Sequence, residues 1–278
     1  MNKNNETESY MNVLQGKTAL ITGASRGIGP YIARALSREG VLVIGIARNE
    51  EKLQIIQKQI IEEGGNARVF PFDLKESHRL NELVQNLKND NVDKVDILVN
   101  NAGIEKYKHY TDNNYEFIQS IITVNLLAPM ELTRHILPGM LKRGQGNIIN
   151  IASLAGRKGV AYNSIYSASK AGMIKWGDGL RQELHGTGVS VSTIMPGYID
   201  EAGMFFDGGF PAPKLLGSSP PQKVVDAVLK AIKTGKGEII VNNGPMKPLL
   251  ALNVFAPEFG NYIVKKFGVV SLSKKRIK

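Results

Sequence analysis

A tyrosine and a lysine four residues apart are the most chemically suggestive pair in this sequence. Tyr166 and Lys170 lie within residues 165–171, where helical spacing would place both side chains on one face. A free phenol has a pKa of about 10, but a neighbouring ammonium favours the phenolate and lowers that value. Such a phenol can give a proton to a carbonyl oxygen or take one from an alcohol. The alternative for an isolated pair is an ordinary contact on a helix surface.

Two other polar residues extend this candidate site. Ser153 precedes the tyrosine by thirteen residues, and its hydroxyl could bond the same substrate oxygen and stabilise its developing charge. Asn125 falls in a predicted helical stretch over residues 113–142, where it could hold a water that links Lys170 to solvent. We therefore predict Asn125, Ser153, Tyr166 and Lys170 as catalytic residues.

A glycine-rich loop lies far upstream, between a predicted strand at residues 17–22 and a predicted helix. Glycine permits a tight turn and a close approach to a pyrophosphate, and the following helix N-terminus favours an anion. Three residues separate the first two glycines, which departs from the usual dinucleotide-binding spacing. A turn without a ligand is the alternative. The predicted cofactor-binding residues of the loop are Gly23, Ser25, Arg26, Gly27, Ile28 and Gly29.

The charge that follows the second predicted strand bears on the choice of dinucleotide. An acid there would bind a ribose 2′-hydroxyl and repel a 2′-phosphate, but residues 44–48 contain no acid and end in arginine. Arg48 can offer paired donors to a phosphate, and Arg26 can add a second cation. We predict NADP rather than NAD. The alternative is that both arginines are solvated surface residues.

The elements that would position these residues alternate along the chain. Seven short apolar runs are predicted as strands, with amphipathic helical patterns between them. Strands that are apolar on both faces indicate a parallel sheet buried between two layers of helices. The predicted fold class is α/β: a Rossmann-like, doubly wound, seven-stranded parallel sheet with helices on both faces. The predicted strands are residues 17–22, 41–47, 68–72, 96–99, 146–151, 189–195 and 238–241.

Composition excludes several classes of function. The 278 residues include no cysteine, which removes disulfides and thiolate chemistry, and four scattered histidines without ligand spacing, so no metal site is predicted. The net charge is +10, but six of the positive charges fall in the last fourteen residues. No basic-aromatic recognition module accompanies them, and we predict no nucleic-acid partner.

Residues 1–15 lack the pattern of a secretory signal, and no apolar run suffices to cross a bilayer, which predicts a cytoplasmic protein.

The chain divides into three parts by composition. We predict a flexible amino-terminal segment at residues 1–15, a single domain at 16–245, and a basic, partly apolar tail at 246–278. The tail could contact an anionic membrane peripherally, but packing on the domain or in a subunit interface is the preferred alternative.

A segment after the sixth predicted strand, about residues 198–219, mixes apolar bulk with glycine and proline. Such a composition suits a mobile lid over a substrate, and ordinary packing against the domain is an equally good alternative. The residues predicted to line an apolar pocket there are Met204, Phe205, Phe206 and Phe210.

These motifs together resemble the classical short-chain dehydrogenase/reductase family over about residues 16–242. The match combines the glycine loop, the tyrosine and lysine, Ser153 and Asn125 in the order typical of that family. Its remaining motifs are Asp73-Leu74, Asn100-Asn101-Ala102-Gly103 and Pro196-Gly197.

The resemblance implies further roles. Asp73 and Leu74 would lie by the adenine, residues Asn101, Ala102 and Gly103 along the adenosine ribose, and Lys170 would also bind the nicotinamide ribose, with Tyr166 beside it. The residues implied to border the nicotinamide are Pro196, Gly197 and Ile199. Family members often carry a threonine four residues after that glycine, where this chain has Glu201. The resemblance also implies a homodimer or homotetramer.

The sequence thus predicts an NADP(H)-dependent oxidoreductase that interconverts a carbonyl and an alcohol on an apolar small molecule, with lipid-like carbonyl compounds among the candidates. A 3-oxoacyl-thioester reductase is the closest alternative among enzymes, because a basic surface could attract a phosphorylated carrier. A non-catalytic regulator that senses NADP is the alternative from another class, and the intact set of four polar residues argues against it.

Overall fold

The structure, a computed structural model, describes residues 14–213 and 216–277. The residues outside these ranges are most of the predicted flexible segment, Lys214 and Leu215 of the predicted lid, and Lys278 of the tail. Leu14, which the sequence assigned to the flexible segment, is fully buried and packs in the core. The folded domain therefore includes this residue.

The sheet has seven strands, all parallel, as predicted. Its order is β3-β2-β1-β4-β5-β6-β9, and the direction of the connections reverses between β1 and β4. In open α/β sheets a ligand crevice forms where the order reverses, at the carboxyl ends of the strands. The strands are β1 (Thr18–Thr22), β2 (Leu42–Ala47), β3 (Asn66–Pro71), β4 (Ile97–Asn100), β5 (Gly146–Ile151), β6 (Val189–Pro196) and β9 (Glu238–Val241), with a separate parallel pair formed by β7 (Tyr198–Ile199) and β8 (Ser218–Ser219).

Ten α-helices accompany the strands in the described part of the chain. They are α1 (Gly29–Arg38), α2 (Glu50–Glu62), α3 (Leu80–Asn89), α4 (Tyr115–Ile122), α5 (Ala128–Arg143), α6 (Ser164–Glu183), α7 (Pro221–Thr234), α8 (Met246–Phe255), α9 (Pro257–Lys266) and α10 (Val269–Lys275).

The helices cover both faces of the sheet. On one face, apolar residues of α1, α2 and α7, such as Leu36, Leu53 and Val228, pack against the strands in one buried cluster. On the other face, residues of α3 and α5, such as Leu83 and Leu132, form a second cluster. All five side chains of β1 are buried, since this central strand has a helical layer on either side. The doubly wound architecture predicted from the sequence is confirmed.

A π-helical turn joins α4 and α5. It spans Thr123–Leu127, so the long helical stretch predicted at residues 113–142 is present but contains one irregular turn. Such turns occur often at functional sites because they redirect a side chain out of the regular helical path. Asn125 lies in this turn and is fully buried.

The carboxyl-terminal tail forms the three helices α8, α9 and α10. Met246 and Leu250 of α8 pack against a small buried cluster that includes Met173 of α6 and Met195 of β6. The tail therefore contacts the domain, as the preferred alternative predicts. Within residues 14–213 and 216–277, no helix combines the length and the apolar character that a bilayer crossing needs.

Candidate active site

A cavity of about 740 Å³ opens at the carboxyl edge of the sheet. Residues that follow four central strands line it: Gly23 after β1, Asn101 after β4, Ser153 after β5 and Gly197 after β6. The carboxyl ends of parallel strands meet at one edge, so the motifs that are distant in sequence converge here.

The glycine loop forms one wall of the cavity. Gly23 and Gly27 have φ values of +69° and +62°, a left-handed conformation that favours glycine. Gly29 packs so closely on the loop that a Cβ would lie 2.9 Å from the carbonyl carbon of Gly23. No side chain of the described residues caps the N-terminus of α1. This helix end is therefore available to an anion such as a pyrophosphate.

The segment after β4 is bonded directly to the glycine loop. The Thr22 hydroxyl accepts hydrogen bonds from the backbone N–H groups of Asn101 and Ala102, each at 3.1 Å. The Asn101 side chain donates to the carbonyl oxygens of Thr22 at 3.0 Å and Gly23 at 3.2 Å. These bonds fix two cofactor-binding motifs predicted from the sequence as one rigid cradle. Gly103 completes this wall, where a Cβ would lie 3.5 Å from Lys170 Nζ.

Charged residues lie at the outer end of the cradle. Arg48, after β2, lines the cavity, and its Nη1 atom lies 3.8 Å from Asp73 Oδ2. Arg26 is exposed and lines the same region, as does Leu74 beside Asp73. Ser25 and Ile28 line the loop side. The shape, the helix N-terminus and the two arginines fit a dinucleotide with an extra phosphate on its adenosine ribose.

Tyr166 and Lys170 are both buried in α6, and both line the cavity. Lys170 Nζ donates to the carbonyl oxygen of Ile151 at 2.8 Å and lies 5.8 Å from the centroid of the Tyr166 ring. Burial lowers the pKa of Lys170 to about 8, and the Glu105 carboxylate acts in the opposite direction. The amine is therefore still largely protonated at pH 7.

The environment of Tyr166 raises the pKa of its phenol. Burial raises the pKa of the phenol, the Glu105 carboxylate raises it further, and the Ser153 hydroxyl and the Arg276 guanidinium lower it. In the protein alone the pKa of the phenol therefore lies above its ordinary value, and its lowering by Lys170 stays a prediction. The physical reason is that desolvation disfavours both the phenolate and the ammonium. A raised pKa keeps the phenol protonated at neutral pH, which suits a proton donor.

Ser153 and Asn125 hold different parts of the site. The Ser153 hydroxyl accepts from the backbone N–H of Ala155 at 3.1 Å, and it lies at the cavity wall near Tyr166. Asn125 Oδ1 accepts from the N–H of Ile104 at 2.8 Å, while its Nδ2 donates to the Ile104 carbonyl at 2.9 Å. Asn125 thus fixes the chain that follows Gly103. Its predicted link to a water stays a prediction.

The segment after β6 supplies the remaining wall. Pro196, Gly197 and Ile199 line the cavity, as the resemblance implies. Glu201, which stands where relatives often have threonine, is exposed with a φ of +65° and is not among the lining residues. Its carboxylate therefore lies outside the cavity wall.

Two of the four residues predicted for the apolar pocket are in place. Met204 and Phe205 line the cavity, whereas Phe206 is 54 % exposed and neither it nor Phe210 is a lining residue. The reason is a short turn at Phe206–Gly208, which directs successive side chains to different sides.

Sequence reasoning missed several residues of the site because they come from distant parts of the chain. Glu105 and Tyr107 follow β4, and Arg276 follows α10, yet all three line the cavity. Tyr198, which also lines it, is in contact with Phe205 at 4.6 Å between ring centroids. The tail contributes further apolar lining residues, whose place in the site no local sequence pattern predicts: Met246, Leu249, Leu250, Ile263, Val264 and Phe267.

Comparison with known proteins agrees with this geometry. A family model described as short chain dehydrogenase matches residues 17–206. The chain is 48 % identical over 271 residues to a ketoacyl reductase, HetN, of Nostoc sp. (strain PCC 7120), with 96 % of this chain and 94 % of the relative covered. It is 34 % identical to an uncharacterized oxidoreductase of Staphylococcus aureus (strain USA300), with 86 % of this chain and all of the relative covered.

Two solved structures resemble the fold. A metagenomic short-chain oxidoreductase in complex with NADP has a TM-score of 0.70 and 32 % identity, covering 82 % of this chain and 97 % of its own. A putative NAD(P)-dependent gluconate 5-dehydrogenase from Beutenbergia cavernae, with bound NADP, has a TM-score of 0.74 and 27 % identity. The match covers 82 % of this chain and 95 % of the dehydrogenase. The chain belongs to the short-chain dehydrogenase family. The resemblance to this family that the sequence motifs indicate is therefore confirmed.

Proposed function

We propose that the protein is an NADPH-dependent reductase that converts a carbonyl group on an apolar substrate into an alcohol. One observation supports this most strongly: the buried phenol of Tyr166 and the glycine cradle line the same cavity. A phenol placed there can reach the oxygen of a substrate that lies against a dinucleotide held in the cradle.

The four residues would divide the chemistry. NADPH, when bound, supplies a hydride to the carbonyl carbon. Tyr166 donates its proton to the carbonyl oxygen, and a proton from solution restores the phenol. Ser153 holds the same oxygen by its hydroxyl, and Lys170 places a positive charge behind the phenol. Asn125 keeps the backbone at Ile104 in place beside Lys170.

The substrate class follows from the apolar half of the cavity. Met204 and Phe205, together with Leu249, Leu250 and Phe267 of the tail, contribute apolar side chains to its lining. A chain of methylene groups gains about 0.8 kcal/mol for each buried group, so such a lining favours a long substrate. A 3-oxoacyl thioester is the second candidate, supported by the name of the 48 % identical relative.

A substrate screen tests this proposal. We expect NADPH oxidation with aliphatic ketones, aldehydes or 3-oxoacyl thioesters, and a KM that falls as the chain lengthens. A series of 3-oxoacyl thioesters with increasing chain length, followed at 340 nm, separates the two substrate classes. The absence of turnover with every carbonyl compound would leave the NADP-sensing regulator as the better interpretation.

Arg48→Ala is expected to weaken NADPH binding about tenfold to a hundredfold, because it removes a charge-assisted contact with the 2′-phosphate. NADH binding should change little. The measurement is a fluorescence titration with each dinucleotide. Arg79→Ala is the matched control, since this exposed arginine pairs with Glu82 and does not line the cavity. An unchanged ratio of the two affinities in Arg48→Ala would contradict the assignment of NADP.

The tail offers a surface for a partner. Large apolar side chains on α8 and α9 are exposed, among them Phe255 at 88 % and Val254 at 73 %. Lys265 and Lys266 lie at the end of α9. These features fit the interface of a homodimer or homotetramer, and peripheral contact with an anionic membrane through the same surface is the alternative.

A further inference from the structure

Arg276 is the one arginine among the described residues that is buried beside the candidate active site. Its side chain is 7 % exposed, although it lies only two residues from the end of the chain. A buried guanidinium needs an opposite charge and several acceptors, because desolvation of a cation is costly. The structure supplies both from segments that are distant in sequence.

Three groups hold this guanidinium. Arg276 Nη2 donates to Glu105 Oε1 and to the carbonyl oxygen of Met204, each at 2.9 Å, and Nη1 donates to the Tyr107 hydroxyl at 2.8 Å. The guanidinium also lies 5.1 Å from the centroid of the Phe205 ring. Arg276 therefore joins the tail, the segment after β4 and the predicted substrate segment at one point on the cavity wall.

The Glu105 carboxylate connects Arg276 to the helix that carries the phenol. Its second oxygen accepts from Asn163 Nδ2 at 3.0 Å. Asn163 precedes α6 and is three residues before Tyr166, so the carboxylate lies near the first turn of this helix. The carboxylate of Glu105 opposes ionisation of the phenol, and the guanidinium of Arg276 favours it.

We propose that Arg276 is a positioning residue of the active site: its ion pair with Glu105 neutralises a carboxylate that lines the same cavity as Tyr166. With the pair intact, the net charge contributed at this point is zero. Loss of Arg276 alone leaves a negative charge there, and loss of the Glu105 charge alone leaves a positive one. The proposal rests on the proposed reductase function, because it uses Tyr166 as the group that exchanges the proton.

Other ionisable groups near Tyr166 keep their residue types in this comparison. Lys170 faces it from the same helix, Tyr107 from the segment after β4, and Tyr198 from the segment after β6. Glu105 raises the pKa of Lys170, and Glu105 and Arg276 act in opposite directions on the pKa of Tyr107 and of Tyr198. A difference between variants therefore reports the effect of the pair on the phenol together with these neighbours.

The test is the pH profile of kcat/KM for alcohol oxidation with NADP, a direction that requires the phenolate. Glu105→Gln should move the midpoint of the profile to lower pH and Arg276→Met to higher pH. We expect a shift of at least about half a pH unit in each, which is about threefold in rate at a fixed pH below the midpoint. The double variant Glu105→Gln/Arg276→Met and the conservative variant Arg276→Lys should both return towards the wild-type midpoint, since both keep a net charge of zero.

The outcomes separate this inference from the function on which it rests. Wild-type protein without turnover contradicts the proposed function. Active wild-type protein with equal midpoints in both single variants, or with shifts in the same direction, overturns only the role of Arg276. A purely structural role would lower kcat in Arg276→Met without moving the midpoint and without recovery in the double variant. Thermal melting shows whether each variant is folded. If Arg276→Met unfolds, the midpoints of Glu105→Gln and Arg276→Lys are compared with that of the wild type instead.

Discussion

Tyr166→Phe is expected to lower kcat by about a thousandfold, since a positioned general acid contributes about a hundredfold to ten-thousandfold. The affinity for NADPH should fall by no more than about tenfold, because at most one neutral hydrogen bond to the cofactor is lost. The phenol is 6 % exposed and removal of its hydroxyl leaves the packing of the ring unchanged, so the fold should be retained. Steady-state kinetics with the best carbonyl substrate and a fluorescence titration with NADPH measure the two effects separately.

Tyr115→Phe provides the control for this substitution. Tyr115 is 72 % exposed at the start of α4 and does not line the cavity, so kcat should stay at the wild-type value. Turnover in Tyr166→Phe within tenfold of the wild type would contradict the proposed proton donor. Tight NADPH binding without turnover in both the wild type and the variant would instead favour the regulator.

Gly29→Ala is expected to weaken NADPH binding by at least about tenfold. The added Cβ would overlap the carbonyl oxygen of Gly23 and lie 3.0 Å from the Cα atom of Ala24, both of which belong to the rigid backbone of the loop. The loop must move, and the same overlap should lower the free energy of unfolding by about 1–3 kcal/mol. NADPH titration and urea-induced unfolding measure the two effects.

Gly179→Ala is the matched control because the substitution and its helical setting are alike. A Cβ at Gly179, within α6, would enter open space, so NADPH binding should not change. Stability should rise by about 0.5–1 kcal/mol, because alanine has the higher helix propensity. Equal NADPH affinity in the two variants would show that the glycine loop does not hold the cofactor.

The succession of strands along the chain and the position of the phosphate cradle were predictable because they depend on local patterns. Apolar runs such as residues 18–22 are buried on both faces, and glycines at 23 and 27 adopt the positive φ values that their type permits. The irregular turn at Asn125 was not predictable, since its residues have no unusual helix propensity. It depends on bonds to the backbone of Ile104, twenty-one residues earlier.

The charge environment of the phenol was also beyond prediction from sequence spacing. A spacing of four residues places Tyr166 and Lys170 on one helix face, but the depth of burial decides the direction in which each pKa moves. That depth is set by strands and helices packed around α6, and these come from most of the chain.

The sequence by itself determined the family, the parallel sheet, the glycine cradle and the identity of the tyrosine, lysine and serine at its edge. These features are encoded by residue types at short spacings, where backbone geometry is the governing constraint. Only the tertiary structure decided that the tail covers the cavity and that Arg276 meets Glu105, 171 residues away. Such a contact depends on how separate elements pack, and no local pattern carries that information.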